Sequence, residues 1–307
     1  MDVLASGYPS LDYIIPVSHS PEVGSTALIL CDMPDELVPT MGGCGANVAV
    51  GLRRLGFTAG VAAVIGDDRR GQRYRAQLVA EGVDLSNLIV LPKAHTSFSY
   101  LFRNPAGEYQ NFFYAGAADA WSGDLTLSGL ESLRWGLVTV GAYEHNRQFV
   151  EQITARGIAL AWQLKPDIFA YSPNTIAEFA QRSALILMNR IEAEFVTAAL
   201  GVSSVEALLS PVTRYLVITR GAAGADVLTA EGYWHVDAVP VNVVDPVGAG
   251  DGFTAGFLAG LLRGDAPLQC ARWGAIVASF VVEAIGCQTR LPTWNEVEVR
   301  GKEHFGQ

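Results

Sequence analysis

Cysteine is scarce in this chain of 307 residues, with four in all, Cys31, Cys44, Cys270 and Cys287. They form no CxxC pair and have no histidine at metal spacing, which excludes a disulfide framework and a zinc site and leaves reduced thiols as the simplest account. Positive charge is short as well: 21 Lys and Arg stand against 31 acidic residues, a net charge of −10. That balance excludes a nucleic acid or an anionic membrane as the main partner, so any phosphate site must be local. No uncharged apolar run reaches about 18 residues, and the opening MDVLASGYPSLD lacks the basic and apolar parts of a signal peptide, so a soluble cytoplasmic protein is expected. Two familiar phosphate signatures are missing too. A GxGxxG would need glycine where Phe253 stands, and the nearest approach to GxxxxGK, Gly66 to Gly71, is followed by Gln72.

What the chain does have is apolar residues, half of the total, enough to bury a large core. Short apolar runs (VLASG at the start, then 59–66, 136–140, 158–162, 184–189 and 215–219) alternate with helical patterns at about 45–55, 69–81, 147–156, 174–182, 191–200, 249–262 and 267–283. Strands that are apolar on both faces, separated by helices, predict an α/β fold with a mostly parallel sheet covered on each side. Residues 12–40 and 95–115 break the rhythm with β-type stretches, the second reading as a hairpin turning at Asn104 to Gly107. Both are candidate β-lid segments inserted into a single domain spanning 1–307.

The richest stretch is DPVGAGDG, Asp245 to Gly252, followed at once by an apolar run of helical length. Such a turn aims the amides of Gly248, Ala249 and Gly250 at one spot, reinforced by the helix N-terminus, and that spot suits an anion. Asp251 beside an anion cradle makes chemical sense as a base that takes a proton from a neutral nucleophile attacking a phosphate. The competing account is packing, because Gly252, Gly256 and Gly260 would give one smooth helix face.

Other polar residues fall where strands end, and ligands of parallel sheets gather there. Asn189 and Glu192 form NxxE, which can hold hydrated Mg²⁺ through oxygen but also reads as a helix capping box, the favoured account from local sequence. Thr219 begins TRGAAGA, in which Gly221 and Gly224 permit close approach of a nucleotide, or simply turn the chain into a hairpin. Gly42, Gly43 and Asn47 lie in GGCGAN before a helix. There the glycines would admit a small polar ligand and Asn47 could bond a hydroxyl. Asp12, after the first strand, could accept hydrogen bonds from two sugar hydroxyls.

In order and spacing these motifs resemble the ribokinase-like, or PfkB, family of carbohydrate and nucleoside kinases over nearly the whole length. GGCGANVAVGLRRLG is similar to the family's N-terminal signature, LMNRIEAE to its NxxE motif, ITRGAAGA to its TxGxxG and DPVGAGDGF to its C-terminal signature. The resemblance implies a three-layer α/β/α sandwich with a small β lid, ATP with Mg²⁺ as donor, and a hydroxyl of a sugar or nucleoside as acceptor. It implies Asp251 as catalytic base and the amides of Gly248, Ala249 and Gly250 as the anion hole. Asn189 and Glu192 would serve the metal and its waters, Thr219, Gly221 and Gly224 would line the nucleotide, and Asp12, Gly43 and Asn47 would bind the acceptor together with Gly42. Asp245 matches a position that contributes to a monovalent-cation site, with K⁺ as the candidate ion, and a homodimer joined through the lids is a further family expectation.

The chain departs from the family's ribose kinases at Cys44, where lysine is common, and at Pro246, where threonine is common. The tail VVEAIGCQTRLPT is similar to nucleoside kinases, whereas GGxGANVAV and NFFYAGAAD are similar to sugar kinases. A small sugar is the leading acceptor on this reading and a nucleoside the alternative. A non-catalytic sensor on the same fold is the reading from another class, and the retained Asp251 argues against it.

Overall fold

The computed structural model describes residues 1–32, 37–165 and 171–306. Nine strands form one sheet, ordered in space Gly232–Val236, Ala225–Thr229, Tyr215–Thr219, Leu185–Asn189, Ala159–Gln163, Trp135–Val138, Val3–Ser6, Ala59–Gly66 and Asp84–Leu91. The seven strands from Tyr215–Thr219 onward are parallel to their neighbours, and the first two are antiparallel. Buried residues alternate across this sheet. Val3, Ala5, Leu185, Leu187 and Val217 point into one apolar layer, and Leu4, Ile186, Met188 and Leu216 point into the other. The first layer is covered by the helices Cys44–Arg54, Ala249–Arg263 and Pro267–Val281, the second by Tyr143–Ala155, Pro173–Arg182 and Arg190–Leu200. This is the expected α/β/α sandwich with a mostly parallel sheet, because strands buried on both faces need helices on both.

Strand and helix bounds expected from apolar periodicity agree with these elements to within a few residues. The edge strand Asp84–Leu91, the short helix Ala117–Ala120 and the closing helix Trp294–Phe305 have no counterpart in that reading. The TRGAAGA glycines do turn the chain into a hairpin, with Thr219 opposite Ala225.

A second sheet of four strands, ordered Thr40–Gly42, Ser10–Pro16, Phe98–Arg103, Tyr109–Tyr114, stands beside the carboxyl ends of the large one as the lid. Its hairpin turns between Arg103 and Tyr109, with Asn104 accepting the Glu108 amide through Oδ1 at 3.0 Å. Of the lid segment expected over 12–40, residues 33–36 lie outside the described residues. Arg103 ties the lid to the main body by donating to the Val244 carbonyl oxygen at 2.8 Å.

The glycine stripe of the Ala249–Arg263 helix is a packing surface. A Cβ at Gly252 would lie 2.8 Å from Val281 Cγ2, one at Gly256 2.5 Å from the Trp273 carbonyl oxygen, and one at Gly260 2.8 Å from Cys270 Cα. The two long helices therefore meet almost backbone to backbone. The packing account of these glycines is correct, and it leaves the turn at the helix's start free for other use. Among the described residues no helix is long and apolar enough to cross a membrane.

Candidate active site

The Ala249–Arg263 helix starts at the carboxyl ends of the central strands, and its first turn separates two adjoining cavities. One, of about 480 Å³, opens beneath the lid and is lined by Asp12, Gly43, Asn47, Asn189, Glu192 and Asp251 among others. The second, of about 570 Å³, is walled by Gly221, Gly224, Val239, Val241, Ala249 and Ala278 and is mostly apolar. Thr219, Gly250 and Phe253 border both.

Asp251 is 7% exposed, at the polar cavity's wall. Its Oδ2 accepts from Asn47 Nδ2 at 2.7 Å and its Oδ1 from Gln163 Nε2 at 2.5 Å. Gln288 Nε2 in turn donates to Asn47 Oδ1 at 2.8 Å. Burial raises the Asp251 carboxyl above the usual range, opposed by the Asn47 and Gln163 hydrogen bonds and by the charge of Lys165. A carboxylate so placed is a base of raised affinity for a proton, fixed on both oxygens.

Gly248 precedes the helix with φ of 84°, and a Cβ there would strike Cys287 Cβ at 2.8 Å, so the turn depends on glycine. Among the described residues none accepts a hydrogen bond from the amides of Gly248, Gly250 or Asp251. The Ala249 amide differs from the expectation for an anion hole: it donates to the Pro246 carbonyl oxygen at 3.3 Å, and the residue faces the apolar cavity. The free donors at this helix end are thus Gly248, Gly250 and Asp251, as the geometry of an N-terminus leaves its first amides unpaired.

Asp12 lies on the lid strand Ser10–Pro16 and faces the same cavity, its Oδ1 accepting from Ser10 Oγ at 2.5 Å. Burial raises its carboxyl, against the Ser10 bond and Lys165. Gly42 does not line the cavity. Its missing side chain makes room for Asp12, whose Oδ2 would be 2.1 Å from a Cβ at that position. Gly43, with φ of 89°, lines the cavity directly. Asn47, expected to bond an acceptor hydroxyl, lines the same cavity and donates one Nδ2 proton to Asp251.

Asn189 and Glu192 form the capping box that local sequence favoured, Asn189 Oδ1 accepting the Glu192 amide at 2.9 Å and Glu192 Oε2 the Asn189 amide at 2.6 Å. Both also line the polar cavity. Burial pushes the Glu192 carboxyl up to about 7, with Asp251 adding repulsion. A hydrated Mg²⁺ fits this position, because such ions keep several waters and need only one or two carboxylates besides substrate phosphates. Because the folded value lies above the ordinary 4.5, Glu192 favours the folded state most fully below pH 4.5, and that contribution is lost as pH rises through about 7. Glu192→Gln should flatten the fall in melting temperature over that window without Mg²⁺, and an unchanged slope in thermal melts would refute the raised carboxyl.

Asp245 is fully buried. Its Oδ1 accepts the Val247 amide at 3.0 Å and its Oδ2 the Gly286 amide at 3.2 Å, which ties the Asp245–Gly248 turn to the segment after the Pro267–Val281 helix. Among the described residues no three His, Cys, Asp or Glu side chains converge as metal ligands. A monovalent ion at Asp245 would have to share oxygens already holding amides.

Gln163, Lys165, Ser10 and Ser99 line the cavity and belong to none of the motifs, while Cys287 and, behind Asn47, Gln288 come from the tail VVEAIGCQTRLPT. Gln163 ends a central strand at its carboxyl tip, and that position was the signal by which it could have been found.

The profile of the pfkB family carbohydrate kinases matches residues 33–294. A nucleoside kinase of Methanothermobacter thermautotrophicus is 28% identical over 306 residues, 99% of this chain and 97% of its own. The crystal structure of the Methanocaldococcus jannaschii nucleoside kinase, an archaeal member of the ribokinase family, superposes with a TM-score of 0.85 at 28% identity, covering 99% of each chain. A fructokinase of Escherichia coli is 27% identical over 88% of this chain and 94% of its own. With a family profile spanning most of its length, the chain belongs to the pfkB family of carbohydrate kinases, phosphotransferases that act on hydroxyl groups.

Proposed function

We propose that the protein transfers the γ-phosphoryl group of ATP to the 5′-hydroxyl of a nucleoside. The observation that carries this is the placement of Asp251 in the polar cavity beside the free amides of Gly248 and Gly250, with an apolar cavity adjoining across the same helix turn. ATP would lie with its base among Gly221, Gly224, Val239 and Ala278, and its terminal phosphate at the helix N-terminus. The acceptor's hydroxymethyl oxygen would approach from the lid side, lose its proton to an Asp251 oxygen and attack the γ-phosphorus in line, breaking that phosphorus's bond to the β,γ-bridging oxygen so that ADP leaves. Charge gathering on the phosphoryl oxygens would be met by the amides and by Lys165. Glu192 and Asn189 would hold Mg²⁺ through water, and the ion would supply charge neutralisation on the phosphates. Asp12 would orient the sugar ring by accepting from its hydroxyls.

A nucleoside is preferred because the lid side of the cavity carries an aromatic wall. Tyr8 and Phe113 pack edge to face with centroids 5.0 Å apart, and Tyr8 Oη is held by Asp119 at 2.6 Å. Such a wall suits a flat base. Two curated relatives that are 28% identical over 97% or more of this chain are nucleoside kinases as well. A free sugar, the acceptor favoured by the sequence motifs, is the second reading, supported by the fructokinase relative and by the polar group of Ser10, Asp12 and Ser99. A nucleoside's ribose presents the same hydroxymethyl group, so both readings use one chemistry.

ADP release with ATP and a panel of purine and pyrimidine nucleosides, ribose and fructose separates them. At least one nucleoside should be turned over with kcat/KM about tenfold or more above any free sugar, since the aromatic wall adds binding only for the base. Turnover of sugars alone would overturn the nucleoside assignment.

A further inference from the structure

Gln163, absent from every motif, makes the shorter of the two amide hydrogen bonds to Asp251. Its orientation is dictated by charge. An ionised carboxylate only accepts, so both amides that meet Asp251 must present their NH₂ ends, which leaves the Gln163 Oε1 as a fixed acceptor. That oxygen is buried and has no hydrogen-bond partner among the described residues, although Gln163 lines the polar cavity. A buried acceptor left unpaired is costly, and a ligand donor would relieve it.

We propose that Gln163 is a two-handed positioning residue: its Nε2 holds Asp251 in line for proton transfer, and its Oε1 accepts a hydrogen bond from a second hydroxyl of the acceptor. The attacking hydroxyl has one proton, and that proton goes to Asp251, so the partner of Oε1 is a different hydroxyl of the same molecule. This rests on the kinase reading above and adds a specificity element to it. Gln163 also shapes the titration of Asp251, which is faced by Asp12 from the lid, Cys44 at the start of its helix, Lys165 after the Ala159–Gln163 strand, Glu192 on the Arg190–Leu200 helix and Cys287 beyond the Pro267–Val281 helix. Loss of the Gln163 donor leaves burial less opposed, so the acid limb of the pH profile should move to higher pH.

The test compares kcat/KM for an accepted ribonucleoside with its 2′-deoxy and 3′-deoxy forms, in wild type, Gln163→Met and Gln163→Glu, each across pH. Wild type should disfavour one deoxy form about tenfold or more, the cost of an unmet buried acceptor. Gln163→Met should erase that discrimination and shift the acid limb upward. Gln163→Glu keeps an acceptor oxygen, so it should retain the discrimination while still shifting the limb, because two carboxylates then face each other. Discrimination that survives in Gln163→Met removes one hand, and an unmoved acid limb removes the other; either result overturns the proposal. Should wild type turn over only free sugars, the nucleoside reading fails by itself, and the same variants are then read with deoxy forms of the accepted sugar.

Discussion

Asp251→Asn should lower kcat by about 10²–10⁴-fold, the usual contribution of a positioned general base, while ATP affinity changes little. The asymmetry follows from geometry. Asp251 lines the polar cavity beneath the lid, and the apolar cavity that would hold the nucleotide base is lined by other residues. The variant should also fold. Asparagine offers one oxygen and one NH₂ to two donors, so one donor must turn around. Gln163 can do so, because its Oε1 has no other partner among the described residues, whereas Asn47 is locked by Gln288. Steady-state kinetics with calorimetric titration of ATP would check both halves. Turnover within tenfold of wild type would sink the base assignment, and with it the mechanism.

Gly256→Val should destabilise the protein by about 3 kcal/mol or more, at the upper end of overpacking costs because the first clash is with backbone. For a chain of this size that corresponds to a fall in melting temperature of roughly 5 °C or more. The Cβ would press on the Trp273 carbonyl oxygen at 2.5 Å and on Gly274 Cα at 2.8 Å, so the helices must move apart and lose contact along the whole stripe. Gly250→Ala is the contrasting variant on the same helix. Its added methyl meets nothing within 4 Å, so its melting temperature should stay near wild type even if turnover falls. Equal destabilisation by the two variants would mean that the stripe is not what sets the helix contact.

The TRGAAGA and NxxE segments show how local and distant roles overlap. Each was readable as an ordinary device, a hairpin turn and a capping box, and each is that device in the structure. Neither device prevents the same residues from lining a cavity, because a cap uses backbone amides and leaves other lone pairs facing outward. Cavity membership was invisible in the local pattern, since it depends on strands far apart in the chain ending side by side.

What the amino-acid order determined by itself is the alternation of strands and helices, the mostly parallel sheet and the glycine turn before a long helix. These follow from apolar periodicity and backbone conformational preference, which act over a few neighbouring residues. Only the tertiary structure decided that Asp251 would meet Asn47 and Gln163, residues 204 and 88 positions away. It also turned the Ala249 amide toward Pro246, buried Asp245 as a loop tie and placed Gly42 behind Asp12. A side chain's partner is set by which surfaces the whole fold brings within hydrogen-bond reach, and no periodicity along the chain encodes that distance.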